Sequence, residues 1–185
     1  MTGVTAYTKP SVSGEWTVEK LQELSLEQVM ELFSSLSAPE FKEMNGEYAS
    51  DALQQGLKLK HLALDLWLDN PINYGHWLGK AFTPRNEEVG QGYNFFRKYG
   101  RVYRKLRMGT RIAPSRFDGK DVFLLDYSAY FTQGKLMVMK DEVRKVQEGL
   151  YLGIGTGGYF EKMREIPWPF TLSGPIHEYV GPDRM

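Results

Sequence analysis

Charged side chains interrupt two neighbouring apolar segments of the chain, and these are the residues best suited to acid–base chemistry. Asp126 lies in the segment 121–131, and Glu142 and Arg144 lie in the segment 136–146. If both segments are strands joined by a tight turn, cross-strand pairing sets Glu142 or Arg144 beside Asp126. Paired acids and bases inside a protein can have shifted pKa values suited to proton transfer. Asp126 and Glu142 are therefore candidate acid/base groups, with Arg144 as an anion or oxyanion partner.

The same charges also have a plain structural interpretation. Ion-pair networks and solvated surface charges perturb titration without any function. Alternation along the predicted strand 121–131 places Asp126 and Tyr130 on one mixed face and Phe123 and Tyr127 on a more apolar face. Either face can point inward, because a shift of one residue in register reverses every side chain.

The C-terminal half of the chain has the pattern of consecutive β-hairpins. Predicted strands cover residues 75–82, 92–97, 101–112, 121–131, 136–146 and 150–155. Asp118-Gly119 is a strong hairpin signal, because this pair supplies the positive φ that tight turns require. A further strand is predicted over 57–68 from its alternating leucines. Neighbouring strands joined by short turns make an antiparallel meander, which commonly closes into a barrel.

Helical signals are confined to the segment 17–45. Ser25 and Gln28 form a possible capping box. The apolar residues after it recur at helical spacing, and these are Leu26, Val29, Met30, Phe33 and Leu36. Pro39 suits the first turn of a second short helix that runs through Met44.

A length of 185 residues fits one domain with a sizeable core. We predict a flexible leader over 1–16, anchored by Trp16, and a single barrel domain over 17–166. Residues 167–185 form a tail rich in Pro and aromatic residues, with little regular structure, packed on the domain. The predicted fold class is α+β, mainly β, with helices beside an antiparallel barrel.

Aromatic residues make up 14% of the chain, and such residues favour strands and line apolar pockets. Arg107 is a second candidate partner for an anion. The side chains expected to contact a ligand are Trp77, Tyr93, Arg107, Tyr127, Tyr130 and Tyr151.

The segment 93–120 combines basic and aromatic residues. The segment 97–120 contains nine Lys and Arg but only one acidic residue, Asp118. Three interpretations remain open: a solvated outer face, a clamp for a ligand carboxylate, and a platform that stacks single-stranded bases. The formal net charge of zero argues against nucleic acid.

Several function classes lack their signals. The chain has no Cys, and its three His lack the spacing of metal ligands, so neither a metal nor another cofactor is predicted. The glycines of 153–158 follow antiparallel elements rather than a βαβ unit, so bends, bulges or close backbone approach explain them better than phosphate binding. No apolar run approaches the ~20 residues of a membrane helix, and no signal-peptide pattern begins the chain. We expect a cytoplasmic protein with no membrane partner.

Gly75-His76-Trp77, at the start of the meander, resembles the GxW opening of lipocalin-like barrels. The resemblance covers residues 75–158. It implies a closed antiparallel barrel around an apolar cavity that small lipophilic molecules enter. The helical N-terminal segment and the lack of a signal peptide and of disulfides favour an intracellular binder or a barrel-shaped enzyme over a secreted carrier.

Three functions follow from the sequence. The first is a pocket for a lipophilic or aromatic molecule, with cofactor-independent isomerase, cyclase or hydro-lyase chemistry. The second is a non-catalytic carrier of the same shape. The third is an interaction module that uses the basic and aromatic face of 93–120. A homodimer is compatible with all three.

Overall fold

Eight antiparallel strands form a closed barrel in the computed structural model, which describes residues 15–53 and 74–183. The strands are β1 (Gly46–Ala52), β2 (His76–Pro84), β3 (Val89–Lys98), β4 (Arg101–Pro114), β5 (Asp121–Asp126), β6 (Lys140–Gln147), β7 (Leu150–Thr156) and β8 (Trp168–His177). Each strand pairs with its neighbours along the chain, and β8 pairs with β1 to close the barrel. The predicted α+β, mainly β, fold with an antiparallel barrel is confirmed. The strand predicted over 57–68 lies outside the described residues.

Two short helices precede the barrel, α1 (Val18–Gln22) and α2 (Leu26–Ser35). The predicted capping box begins α2: Ser25 Oγ accepts from the Gln28 backbone N–H at 3.2 Å, and Gln28 Oε1 accepts from the Ser25 N–H at 2.8 Å. The second helix, expected after Pro39, is a single 3-10 turn at Phe41–Glu43. No helix in the described ranges is long and apolar enough to cross a membrane.

The barrel has apolar layers on both faces of its wall. The buried face of α2 packs on outward-facing side chains of β5 and β7, and this outer cluster includes Val29, Phe33, Val122, Leu124 and Leu152. The inner cluster is aromatic and includes Tyr48, Phe82, Phe96, Phe123 and Tyr151. Side chains alternate between the two faces of a strand, so a strand that is buried on both faces has a nearly continuous apolar sequence.

The prediction of a strand over 121–131 and a tight turn into 136–146 is wrong in its central part. β5 ends at Asp126, a 3-10 turn follows at Tyr127–Ala129, and a one-turn helix α3 forms at Gln133–Leu136. Asp126 itself ends the strand, because its carboxylate accepts from the Ser128 backbone N–H at 2.9 Å and from Ser128 Oγ at 2.6 Å. Such local side-chain bonds compete with the strand ladder.

The long connection over 127–139 changes the register between β5 and β6. Asp126 lies opposite Lys140, and Glu142 lies opposite Leu124. Glu142 is therefore diagonal to Asp126 rather than directly opposite it, and Arg144 lies further along β6.

The expectation of little regular structure after residue 166 is also wrong. β8 (Trp168–His177) pairs with β7 on one side and with β1 on the other. A short helix α4 (Glu161–Arg164) lies in the connection from β7 to β8. The residues beyond β8 lie on the outside of the barrel, where the Tyr179 ring packs 5.1 Å from that of Tyr93.

Candidate functional site

A cavity of about 90 Å³ lies inside the barrel and opens to solvent. Most of its wall is apolar. The lining residues are Ala52, Trp77, Met137, Met139, Gly155, Gly157, Trp168, Pro169 and Phe170, together with the polar Lys80, Asn94, Asp141 and Thr156. A mostly apolar cavity with a few convergent polar groups is the usual form of a small-molecule site.

Four polar side chains form one buried cluster beside this cavity. Lys80 Nζ donates to Asp141 Oδ2 at 2.8 Å, to Asn94 Oδ1 at 2.9 Å and to the Tyr127 hydroxyl at 2.8 Å. The Tyr127 hydroxyl donates to Asp141 Oδ2 at 3.0 Å and accepts from Asn94 Nδ2 at 2.9 Å. The Trp77 indole N–H adds a bond of 3.1 Å to Asn94 Oδ1. These bonds offset the cost of burying a charged pair.

Strand register brings the cluster together. Lys80 of β2 lies directly opposite Asn94 of β3. A β-bulge interrupts the pairing of β3 with β4, where Leu106 has a φ of +53°, and the Leu106 carbonyl accepts from Asn94 Nδ2 at 3.4 Å. Bulges often lie next to sites, because they redirect a backbone or side-chain group.

One oxygen of the Asp141 carboxylate is left available. Oδ2 accepts from Lys80 and Tyr127, whereas Oδ1 accepts no hydrogen bond from any residue that the structure describes. Gly155 lies opposite Asp141, and a Cβ there would be 3.0 Å from Oδ1. The glycine therefore leaves space beside this oxygen at the cavity wall.

Aromatic rings enclose the Lys80 ammonium. Its Nζ lies 5.1 Å from the Trp77 ring centroid, 5.6 Å from that of Tyr127 and 5.0 Å from that of Phe170, within the range of cation–π attraction. Burial lowers the pKa of Lys80 below its ordinary value, and the neighbouring Asp141 only partly opposes this. Burial also raises the pKa of Tyr127 well above its ordinary value, so Tyr127 remains a neutral hydrogen-bond donor near pH 7.

The structure places two of the predicted ligand-binding residues at the cavity: Trp77 lines it, and Tyr127 belongs to the polar cluster. Tyr151 is inside the barrel but packs edge-on against Tyr48 at 5.8 Å, away from the cavity lining. Tyr93 points outward, and its hydroxyl donates to Glu47 Oε1 at 2.8 Å.

Arg107 and Tyr130 meet outside the cavity lining. The Arg107 guanidinium carbon lies 4.0 Å from the Tyr130 ring centroid. Both side chains donate to Gln91 Oε1 at 3.3 Å. This contact explains their position without a ligand.

None of the three residues predicted as catalytic lines the cavity. Asp126 caps the 3-10 turn after β5. Glu142 accepts from Ser115 Oγ at 2.5 Å and from the Arg116 N–H at 2.9 Å, which holds the β4–β5 hairpin. Their acid–base role stays a prediction, while each has a structural explanation.

Arg144 is a fully buried side chain between α2 and the β4–β5 hairpin. Its guanidinium donates to both oxygens of Asp118, at 2.8 and 2.7 Å, and to the Phe33 carbonyl at 2.8 Å. It also bonds the Lys120 and Asp121 carbonyls. This pattern ties three elements together and leaves Arg144 turned away from the barrel interior.

The sequence predictions missed Lys80 and Asn94, and they did not choose Asp141 as catalytic. A signal was present, because Lys80 interrupts the apolar strand 75–82 and Asn94 interrupts a run of aromatic residues. Asp141 shares its predicted face with Met137, Met139 and Val143, and that apolar face is the inner one.

The aromatic residues of the basic and aromatic segment are divided between the barrel wall and the surface, where Tyr99 is 82% exposed. Tyr93, Phe95 and Phe96 are buried. Arg104 pairs with Glu47 at 2.8 Å.

Within the described ranges, no three His, Asp or Glu side chains are grouped so that they could hold a metal ion.

Fold and site together define a closed eight-strand barrel with a buried Lys–Asp–Tyr–Asn cluster at an internal cavity. The chain matches no protein-family model and none of the curated proteins. Its fold is similar to that of a protein from Thermomonospora curvata known from a crystal structure, with a TM-score of 0.54 and 18% sequence identity over 82% of this chain and 88% of the other. At this identity the similarity concerns the fold alone.

Packing explains two of the glycines in the segment 153–158. A Cβ at Gly153 would collide with the Phe170 ring, and one at Gly157 would lie 2.7 Å from Met139 Cγ. The nearest atoms at both positions belong to side chains, so the packing of Phe170 and Met139 accounts for these two glycines.

Proposed function

We propose that this protein binds a small apolar or aromatic molecule inside the barrel, as the lipocalin-like resemblance implies. The observation that carries the proposal is the availability of Asp141 Oδ1 at the wall of a mostly apolar cavity. A ligand with an apolar body and one hydroxyl or N–H group matches this arrangement, because the carboxylate oxygen is an acceptor.

The cavity volume limits the size of the ligand. Pockets for drug-sized molecules measure roughly 300–1,000 Å³. The cavity of about 90 Å³ suits a single ring or a short chain, with any longer part of the molecule extending toward Met137 and Gly157.

The same carboxylate is the proposed general base. Asp141 Oδ2 is held by Lys80 and Tyr127, so the orientation of Oδ1 is fixed. A base held in this way can take a proton from a carbon next to a ligand carbonyl, and a neutral Tyr127 can turn its hydroxyl hydrogen from Asp141 Oδ2 to the developing oxyanion. This is isomerase-type chemistry that requires no cofactor.

Binding is tested with single-ring compounds that differ only in their polar group. Toluene, benzyl alcohol and phenol are titrated by calorimetry into the wild-type protein and into Asp141→Asn. We expect the hydroxyl compounds to bind about tenfold more tightly than toluene, because a hydrogen bond to a charged group contributes about 1.5–3 kcal/mol. Asp141→Asn should lose most of this preference.

Asp51→Asn is the matched control, because Asp51 is exposed on β1. It should retain the wild-type preference. Equal affinities for toluene and the alcohols in the wild-type protein, or an unchanged preference in Asp141→Asn, would contradict the proposed ligand class.

Proton abstraction is tested separately from binding. Exchange of the methyl protons of acetophenone in D₂O is followed by NMR with and without the protein. A general base at Asp141 predicts exchange above the buffer rate, lost in Asp141→Asn and kept in Asp51→Asn. Bound acetophenone with exchange at the buffer rate would instead identify a carrier, which is the second candidate because the cavity alone accounts for binding.

A further inference from the structure

We infer that Lys80 is a nucleophile that forms a Schiff base with an aldehyde or ketone bound in the barrel cavity. The inference rests on the proposed function, since it needs a ligand in that cavity. It adds a covalent step and selects carbonyl compounds as a ligand class.

The position of Lys80 is the first support. Its side chain lines the cavity, and the residue is only 3% exposed. An ammonium group in such a place is costly, because burial in apolar surroundings removes its hydration. Burial accordingly lowers the pKa of Lys80. Desolvated lysines of this kind are the ones that attack carbonyl groups, because only the neutral amine is nucleophilic.

The neighbours of Lys80 supply what the reaction requires. Asp141 Oδ2, 2.8 Å from Nζ, can accept the proton that the ammonium must lose. Once Asp141 Oδ2 has taken that proton, the Tyr127 hydroxyl, 2.8 Å from Nζ, can turn its hydrogen from Asp141 to the carbonyl oxygen during attack. The rings of Trp77 and Phe170 lie about 5 Å from Nζ and favour the positive charge of a protonated Schiff base.

The reaction balances without an oxidant, a reductant or a metal ion. The neutral amine of Lys80 attacks the carbonyl carbon and forms a C–N bond. The nitrogen loses one proton and the former carbonyl oxygen gains one, which gives a carbinolamine. The carbinolamine then releases its hydroxyl group and the remaining nitrogen-bound proton as water, leaving a C=N double bond.

The test uses benzaldehyde and sodium cyanoborohydride with the full-length wild-type protein. Reduction of the C=N bond fixes a benzyl group on the lysine, and intact-mass and peptide analysis locate it. We expect one benzyl group per chain, on the peptide that contains Lys80, and formed at least tenfold faster than on any other lysine. Lys80→Arg should lose it.

Lys135→Arg is the matched control, because Lys135 is exposed on α3 in the connection that also carries cavity-lining residues. It should react as the wild type does. The peptide map of the wild-type protein stands on its own if Lys80→Arg does not fold.

Failure of this inference is distinguishable from failure of the proposed function. If benzyl alcohol binds with the preference expected above but benzaldehyde labels no lysine, or labels the exposed lysines evenly, the Schiff base is wrong and the binding site stands. If neither compound binds, both proposals are wrong. Labelling of Lys80 that toluene at saturating concentration suppresses would support both.

Discussion

Two ion pairs with buried cations lie on opposite faces of the barrel wall. Arg144 and Asp118 meet outside, beneath α2, and Lys80 and Asp141 meet inside. Both cations are nearly inaccessible, at 0% exposure for Arg144 and 3% for Lys80. The two cations are equivalent in burial and charge, but their partners are not, because Asp118 is exposed whereas Asp141 is buried.

They differ in what surrounds them. The Arg144 guanidinium donates hydrogen bonds to Asp118 and to three backbone carbonyls. Its central carbon lies 4.6 Å from the centroid of the Phe33 ring. The inner pair borders a cavity, and Asp141 Oδ1 has no donor among the described residues. A buried charge therefore indicates a site only where a cavity and an unused polar atom accompany it.

The largest effect is expected at the outer pair. Arg144→Met leaves three backbone carbonyl oxygens without their donor, which costs about 1–3 kcal/mol for each one that stays buried, while the exposed Asp118 regains water. Urea denaturation should show that loss, with ligand binding retained in the folded fraction. Arg97→Met, at an exposed position of β3, should change the free energy of unfolding by less than about 0.5 kcal/mol. A small effect of Arg144→Met would contradict the structural role.

At the inner pair, removing both charges should lower the free energy of unfolding less than removing Lys80 alone. Lys80→Met alone leaves a buried carboxylate and should cost about 3 kcal/mol. Adding Asp141→Asn removes that charge and should recover more than half of the lost stability, because a neutral pair needs no compensation. The same double variant should lose binding of benzyl alcohol. If the double variant loses as much stability as the two single variants together, the two charges are not coupled.

The outer pair should also set part of the acid sensitivity of the protein. Hydrogen bonds from Arg144 are the main reason why the pKa of Asp118 falls from its ordinary value of 3.8 to about 2. A lowered pKa contributes stability that is complete above about pH 4 and is lost as the pH falls toward 2. Because Asp118 is exposed and solvent screens the pair, Asp118→Asn should be about 1 kcal/mol less stable than the wild type at pH 7.

The difference between the wild type and Asp118→Asn should shrink between pH 4 and pH 2. Urea denaturation across that range measures it, with Asp51→Asn as the exposed control. A difference that stays constant down to pH 2 would mean that Asp118 does not carry the effect.

The strand pattern made the barrel predictable, whereas the register around the site was not. Alternation and turn residues located β2, β3, β4 and β7 closely, and Asp118-Gly119 is the hairpin turn expected, with a φ of +73° at Gly119. The error at 127–139 came from an Asp126 side-chain bond that the apolar pattern does not reveal. The Pro content of residues 167–185 likewise led to the wrong prediction of little regular structure in β8. Pro169 lies near the start of this strand, where a proline is tolerated.

The site was only partly predictable for a related reason. Trp77 and Tyr127 were found because aromatic residues commonly line cavities. Lys80 and Asn94 are single polar residues in apolar strands, and only the closed barrel shows that both point inward beside Asp141. Glu142 and Arg144 were chosen from the same kind of pattern, but their side chains point to the outside of the wall.

The smallest effect, and the most specific to the inner pair, is expected at Gly155. Gly155→Ala places a Cβ 3.0 Å from Asp141 Oδ1, a contact tight enough to restrict access to that oxygen. Weakening of this hydrogen bond by about 1 kcal/mol, less than its complete loss, should weaken binding of benzyl alcohol about fivefold and leave binding of toluene nearly unchanged. Gly109→Ala is the control, because its Cβ would lie 3.2 Å from that of Ala129, away from the cavity lining. An equal loss for toluene and benzyl alcohol would mean that Gly155 only shapes the cavity, whereas a selective loss for the alcohol would identify Asp141 Oδ1 as the atom that distinguishes the inner pair from the outer one.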